Sequence, residues 1–189
     1  ACAKLGYLCA FGVTPNTFET GYGYLLAGET LHVEGAKQKG IFHIERFVEK
    51  PSIEFAQELL TSTDCYWNSG MFLMRVDVYL AELQQHRPDI LDAVRQSWVA
   101  RQSDLDFIRP DAATFLACPS ESIDYAVMQP TKQGAMVIAS FGWSDVGSWN
   151  SLWDLSAKDA EGNATHGDAF LVDTHDSYIR AQSRLVAVV

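Results

Sequence analysis

Phe47-Val48-Glu49-Lys50-Pro51 sets a carboxylate beside an ammonium at the point where a strand pattern stops. Upstream, Phe42 and Ile44 alternate with His43 and Glu45, the period-two signature of a half-buried strand. Pro51 has no N–H to give a ladder and ends the run. Downstream, Ser52 can cap a helix whose apolar face is Ile53, Ala56, Leu59 and Leu60. Glu49 and Lys50 therefore fall at a strand-to-helix switch. In α/β sheets, ligands are held just beyond the carboxyl ends of strands. On pattern alone, an ordinary surface charge pair before a turn is the more economical reading.

The whole chain limits what such a site can serve. Its 189 residues, 48% hydrophobic, suit one compact domain, or one plus a small appendage. No apolar run approaches the ~20 residues of a membrane span. A net charge of -10 argues against a nucleic-acid surface, which needs basic stripes. Cys2, Cys9, Cys65 and Cys118 are scattered without C-x-x-C spacing, so they read as reduced thiols of a cytoplasmic protein. Nothing suggests a secretory signal. The chain opens without methionine and closes inside a strand pattern at 185–189, so both ends read as cuts in a longer chain.

Residues 5–13 predict a buried strand. Glu19-Thr20-Gly21-Tyr22-Gly23-Tyr24 alternates glycines with aromatics. It reads either as a rim where backbone N–H groups and Tyr22 face a small polar ligand, or as a glycine-kinked strand. Tyr66-Trp67-Asn68-Ser69-Gly70-Met71-Phe72 holds a polar island in an apolar run. There Asn68 offers a donor and an acceptor to vicinal hydroxyls, or the island is a turn entering a strand. Val76, Tyr79, Leu80 and Leu83 predict one amphipathic helix, and Pro88 opens another faced by Ile90, Leu91, Val94 and Trp98. His86 and Arg87 between them read as solvated.

Ser122 reads as the cap of a further helix, with Glu121 and Asp124 placed by its dipole. A short strand over 136–141 runs into Gly142-Trp143-Ser144-Asp145-Val146-Gly147-Ser148-Trp149. Asp145, between glycines at a strand end, is a credible Mg²⁺ ligand or an Asp bonded to its own turn. Ser148 then caps a helix faced by Trp149, Leu152 and Trp153. Residues 158–167 form a polar linker, and strand patterns follow at 169–172, 177–180 and 185–189. The expected organisation is one domain over 1–157 and the linker with the first strands of a β-rich unit over 158–189. His166 and His175 lack partners at metal-ligand spacing.

Taken in order, Glu-Thr-Gly-Tyr-Gly-Tyr, Phe-Val-Glu-Lys-Pro, Trp-Asn-Ser-Gly-Met-Phe, Ser-Ile-Asp-Tyr-Ala-Val-Met and Gly-Trp-Ser-Asp-Val-Gly-Ser-Trp closely resemble the bacterial mannose-1-phosphate guanylyltransferases, which make GDP-mannose. The resemblance covers essentially the whole chain. It implies an α/β fold: the C-terminal half of a Rossmann-like nucleotidyltransferase, a mixed sheet with flanking helices, followed by the start of a β-helix-like unit. It also implies that Gly21, Tyr22 and Gly23 line a sugar pocket, Glu49 binds sugar hydroxyls, Lys50 holds the sugar phosphate, Asn68 contacts the hexose, and Asp145 helps hold Mg²⁺. It thereby favours the ligand-binding alternatives at residues 19–24 and at Glu49 and Lys50. The implied partners are GTP and mannose 1-phosphate, with no nucleic acid and no membrane; a homo-oligomer stays open.

The family's glycine-rich nucleotide loop and its N-terminal acidic metal ligand are absent from these residues and belong upstream of Ala1. The isolated piece is thus expected to lack the guanine and triphosphate site and to be inactive alone. In the implied reaction a phosphate oxygen of mannose 1-phosphate attacks the α-phosphorus of GTP and releases pyrophosphate. The nucleophile is already an anion, so positioning and charge neutralisation carry the catalysis. Competing readings are a pyrophosphorylase for another hexose 1-phosphate and a non-catalytic, pyrophosphorylase-like regulatory subunit.

Overall fold

Alternation along the first strand, β1 (Leu8–Val13), sends its side chains to two different cores: Leu8 and Ala10 to one, Cys9 to the other. The computed structural model describes residues 1–34 and 40–189. These divide into two compact units, Ala1–Phe141 and Gly142–Val189. Composition places the division at 157/158; by packing, residues 142–157 group with the C-terminal unit. The strand expected over 5–13 begins only at Leu8, because Cys2–Leu5 curl into a 3₁₀ turn.

In the first unit, β1 is followed by β2 (Gly23–Thr30), β3 (Ile41–Glu49), helix α1 (Ile53–Leu59) and β4 (Cys65–Leu73). Then come α2 (Val76–His86), α3 (Pro88–Val99), a small hairpin of β5 (Gln102–Asp104) and β6 (Phe107–Arg109), α4 (Ala112–Leu116) and β7 (Gly134–Ala139). The main sheet runs β1-β4-β2-β3-β7 and closes on itself, since β7 also pairs with β1. It is mixed: β1 and β7 are parallel, the other pairs antiparallel. Leu8, Ala10, Leu25, Phe47 and Met136 from the sheet pack with Leu83 of α2 and Leu91 of α3. Cys2, Cys9, Ile41 and Ala135 form a smaller core. The Cys9 and Cys65 thiols are pushed up to about 12 and about 11 by burial, so both stay neutral and unreactive.

Ser52 caps α1 as expected, its hydroxyl accepting from the Phe55 N–H at 3.3 Å. Ala56 and Leu59 turn inward, while Ile53 is exposed. In α2 the inward stripe is Val78, Tyr79, Glu82 and Leu83, leaving Val76 and Leu80 outside. In α3 Leu91 and Ser97 are buried, and Val94 and Trp98 are exposed.

His86 and Arg87 are not solvated. His86 finds its partner one turn back on α2, and Arg87 finds one of its two partners on the segment before residue 124. His86 Nε2 lies 3.3 Å from Oε2 of buried Glu82, which also accepts from the Thr131 hydroxyl at 2.6 Å. Arg87 pairs with Asp89 at 2.8 Å and with Glu121. Glu121 is therefore held by an ion pair. Ser122 makes no side-chain cap; it offers its carbonyl to the Ala126 N–H at 2.9 Å. Asp124–Met128 is a single wide turn, in which the Gln129 N–H reaches back to the Asp124 carbonyl at 2.8 Å. Such π-type turns are rare and recur at functional sites.

In the second unit, Ser148 caps α5 (Trp149–Leu155) by accepting from the Ser151 N–H at 3.1 Å. The strands are β8 (Ala164–His166), β9 (Ala169–Leu171), β10 (Tyr178–Arg180) and β11 (Val186–Val188). β8 pairs with β10 and β9 with β11, both parallel. Buried Asn163 ties successive turns together. Its amide donates to the Thr174 carbonyl at 2.7 Å and accepts from the Ser177 N–H at 3.1 Å.

Leu25 is fully buried at the centre of the larger core. Leu25→Ala should therefore cost about 2–5 kcal/mol. Urea unfolding followed by circular dichroism checks this, and a loss below about 1 kcal/mol would remove Leu25 from the core.

Candidate functional site

Three neighbouring strands bring the sequence's separate islands to one place. Gly23 of β2 stands opposite Glu49 of β3 on one side and Asn68 of β4 on the other. Residues directly opposite in a sheet share a face. Gly23 has no side chain, and that absence makes the convergence possible. A Cβ there would lie 2.5 Å from Glu49 Oε2 and 3.2 Å from Asn68 Cβ. The carboxylate and the amide thus lean together over a bare stretch of backbone.

Lys50 follows at the strand end with φ 47, a left-handed conformation for a residue that precedes proline. That is sparsely populated and costs about 1–3 kcal/mol, a strain that clusters at ligand sites. Its N–H donates to the Tyr22 carbonyl at 3.1 Å, so the 19–24 segment holds the turn in place. The Lys50 ammonium is 3.9 Å from Glu49 Oε1; its side chain is 60% exposed, against 11% for Glu49. It can therefore swing to an incoming anion while Glu49 stays fixed. The Tyr22 ring meets Trp67 edge-on, with centroids 5.2 Å apart. Buried Tyr24 anchors the same loop, its hydroxyl accepting from the Glu19 N–H and donating to the Glu19 carbonyl, both at 2.9 Å. Gly21 lies exposed on that loop.

The polar island at 66–72 lies within β4 and is not a turn before it. The strand stays continuous because side chains satisfy the local backbone. Asn68 Oδ1 accepts from the Gly70 N–H at 3.2 Å, and Ser69 Oγ from the Met71 N–H at 3.4 Å. Gly70 takes φ 72, which a side chain would disfavour. The other end of the Asn68 amide donates to Asp124 Oδ1 at 3.2 Å.

Asp124 was missed in the sequence, where a carboxylate near a helix start needs no further explanation. The available signal was its place inside the ordered Ser-Ile-Asp-Tyr island. Beside it, the Tyr125 hydroxyl donates to the Glu49 carbonyl at 3.4 Å. The Glu49 carboxyl is raised above its ordinary value, first by burial and then by the negative charge of Asp124, with Lys50 pulling the other way. Like charges facing one another under partial burial make strong acceptors for hydroxyl donors.

Asp145 belongs to the second unit and is exposed there. The next residue, Val146, has φ 50, and its N–H donates to Ser144 Oγ at 3.3 Å. A Cβ on Gly147 would stand 2.7 Å from Asp145 Oδ2, so the glycine leaves room beside the carboxylate. A hard cation prefers such an accessible oxygen. Among the described residues no group of three or more His, Cys, Asp or Glu is placed to hold a metal. Among the described residues no helix is long and apolar enough to cross a membrane.

A closed mixed sheet thus sets a shielded carboxylate, a buried amide and an exposed ammonium together around Gly23, on a fold that defines a class of nucleotide-transferring enzymes. The nucleotidyl transferase family matches residues 2–162, and the chain belongs to that family. It is 50% identical over 187 residues to the mannose-1-phosphate guanylyltransferase of Escherichia coli strain K12, covering 99% of this chain and 39% of that protein. It is 46% identical over 189 residues to the xanthan biosynthesis protein XanB of Xanthomonas campestris, covering 100% of this chain and 38% of that one. The chain thus spans about two-fifths of the length of these relatives. A solved structure of a mannose-1-phosphate geranyltransferase from Thermus thermophilus superposes with TM-score 0.74 at 27% identity, over 99% of this chain and 52% of that one. One of a mannose-6-phosphate isomerase from Helicobacter pylori superposes with TM-score 0.67 at 31% identity, over 76% and 54%.

Gly23→Ala would push a methyl into the Glu49 carboxylate, the flexible end of a side chain. Stability should barely change, but sugar-phosphate affinity should fall roughly a hundredfold, because a site displaced by about 1 Å loses its geometry. Calorimetric titration beside a thermal melt separates the two. Unchanged affinity would mean that Glu49 and Asn68 need not converge.

Proposed function

We propose that the protein makes GDP-mannose and pyrophosphate from GTP and mannose 1-phosphate, and that these residues form its sugar-phosphate side. The observation that carries this is the meeting of Glu49 and Asn68 over Gly23 with Lys50 at the same strand end. The names of the relatives support it. The guanine-binding loop expected of the family is not among the 189 residues.

Glu49, Asn68 and the backbone at Gly21 and Gly23 take the hexose hydroxyls, with Tyr22 against the ring. A buried polar group left without its hydroxyl is costly, which is how such a pocket separates one hexose from another. Lys50 is a compact, mobile point charge suited to a phosphate monoester. Holding that phosphate orients its oxygen for in-line attack on the α-phosphorus of GTP. The nucleophile is an anion, so none of these residues needs to remove a proton. Asp145 offers one carboxylate to Mg²⁺, which when bound offsets the charge of phosphate oxygens. In the second unit, the parallel pairs β8–β10 and β9–β11 suit the opening coils of a β-helix-like domain.

In the full-length protein, Lys50→Ala should remove about 1.5–3 kcal/mol of charge-assisted binding, raising KM for mannose 1-phosphate roughly tenfold to hundredfold while KM for GTP holds. Steady-state kinetics with each substrate varied checks it, and equal losses for both would take Lys50 off the sugar phosphate. Preference for glucose 1-phosphate over mannose 1-phosphate in the same assay would replace the proposed substrate.

Asp145→Asn should raise the Mg²⁺ concentration needed for half-maximal rate several-fold. A magnesium titration that superposes on that of the unaltered enzyme would exclude Asp145 from metal binding.

A further inference from the structure

The Asn68 amide is held at both ends. Its Oδ1 accepts from the Gly70 N–H at 3.2 Å, and its Nδ2 donates to Asp124 Oδ1 at 3.2 Å. A carboxylate can only accept, so Asp124 dictates that the NH₂ end faces it. The amide cannot turn over without setting its carbonyl against a carboxylate and its NH₂ against the Gly70 N–H. Asn68 is 7% exposed, so water is poorly placed to repair such a misfit. One N–H of Asn68 is thereby left to donate beside Gly23, where Nδ2 stands 3.4 Å from the place a Cβ would occupy. The acceptor at the same spot is Glu49, whose Oε2 lies 2.5 Å from that place.

Resting on the sugar-phosphate assignment above, we propose that Asp124 is a positioning and specificity-determining residue. It locks the Asn68 amide with its donor toward the sugar, beside the Glu49 carboxylate. The complementary ligand group is a pair of adjacent hydroxyls: the oxygen of one accepts from Asn68, and the proton of the other goes to Glu49. Asp124 has a second connection to the site through the next residue, whose phenol donates to the Glu49 carbonyl at 3.4 Å. The groups facing Asp124 are Asn68 from β4, Glu49 from β3 and, beyond Glu49, Lys50. The wide turn at 124–128 carries the carboxylate from a segment well separated in sequence from both strands.

Asp124→Ala and Asp124→Asn in the full-length protein test this. In Asp124→Ala the Asn68 amide is free to turn over. Binding of mannose 1-phosphate, measured by calorimetry, should weaken at least tenfold, with GTP binding unchanged. In Asp124→Asn the new amide can present its carbonyl to Asn68, so the lock is kept and much of the affinity returns. The same variant removes a negative neighbour from Glu49, whose ionisation then becomes easier. The acid limb of the pH profile for mannose 1-phosphate binding should move to lower pH. The ratio of mannose 1-phosphate to glucose 1-phosphate affinity should fall in Asp124→Ala and recover in Asp124→Asn. Wild-type affinity in Asp124→Ala, or an acid limb that stays put in Asp124→Asn, overturns the proposal and leaves the sugar-phosphate assignment standing. A wild-type protein that binds no mannose 1-phosphate overturns both. Equal weakening toward GTP and mannose 1-phosphate in both variants means a merely structural role and also overturns it.

Discussion

The site depends on the missing side chain at Gly23. A carboxylate and an amide on flanking strands can approach each other only if the strand between them offers no Cβ, since that atom would sit 2.5 Å from Glu49 Oε2. Every other feature is arranged around that gap. The cross-strand register sets Glu49 and Asn68 level with it. The left-handed turn at Lys50 ends β3 beside it, and Tyr22 holds that turn through its carbonyl. A slip of one residue in either pairing would send Glu49 or Asn68 to the opposite face of the sheet.

The register is in turn secured by burial. Leu25 of β2 and its partner Phe47 of β3 are enclosed on the face that carries Gly23 and Glu49, and Tyr24 is enclosed on the other, so a slip in register would unseat large side chains from both faces. Closure of the sheet through the β1–β7 pair removes the free edges along which strands could slide. Local strain at Lys50 persists because this surrounding structure over-determines it. Fold and site are thus built from different residues: Leu25, Phe47 and Met136 carry the core, and Gly23, Glu49, Lys50 and Asn68 form the polar cluster beside it.

Charge at the site is managed unequally. Glu49 is shielded and sits near Asp124, which keeps its carboxyl above the usual range and makes it a strong acceptor. Lys50 is left largely in water, so its ammonium is free to move while the Glu49 carboxylate is held. In the second unit, taken by itself, Asp145 is solvent-facing, with space beside it left by Gly147.

Much of this was legible in the residues. Period-two alternation marked β3, Pro51 marked its end, Ser52 and Ser148 marked two helix starts, and the ordered islands drew attention to Gly23, Glu49, Lys50 and Asn68, which the fold brings together. These signals are local: a proline lacks an N–H and a serine reaches a backbone donor wherever the chain later goes. The sequence could not say that Asn68 meets Asp124, that His86 meets Glu82, or that Arg87 meets Glu121, because those partners lie on separate elements or a full turn away and each reads acceptably as a solvated or helix-capping group. Nor could it choose between strand and turn at 66–72, since side-chain bonds to the Gly70 and Met71 N–H groups decide that. Residue identity determined which groups were available and where strands and helices begin. Tertiary structure decided which of them face each other, because cross-strand register and helix docking are set by burying the core and not by any nearby residue.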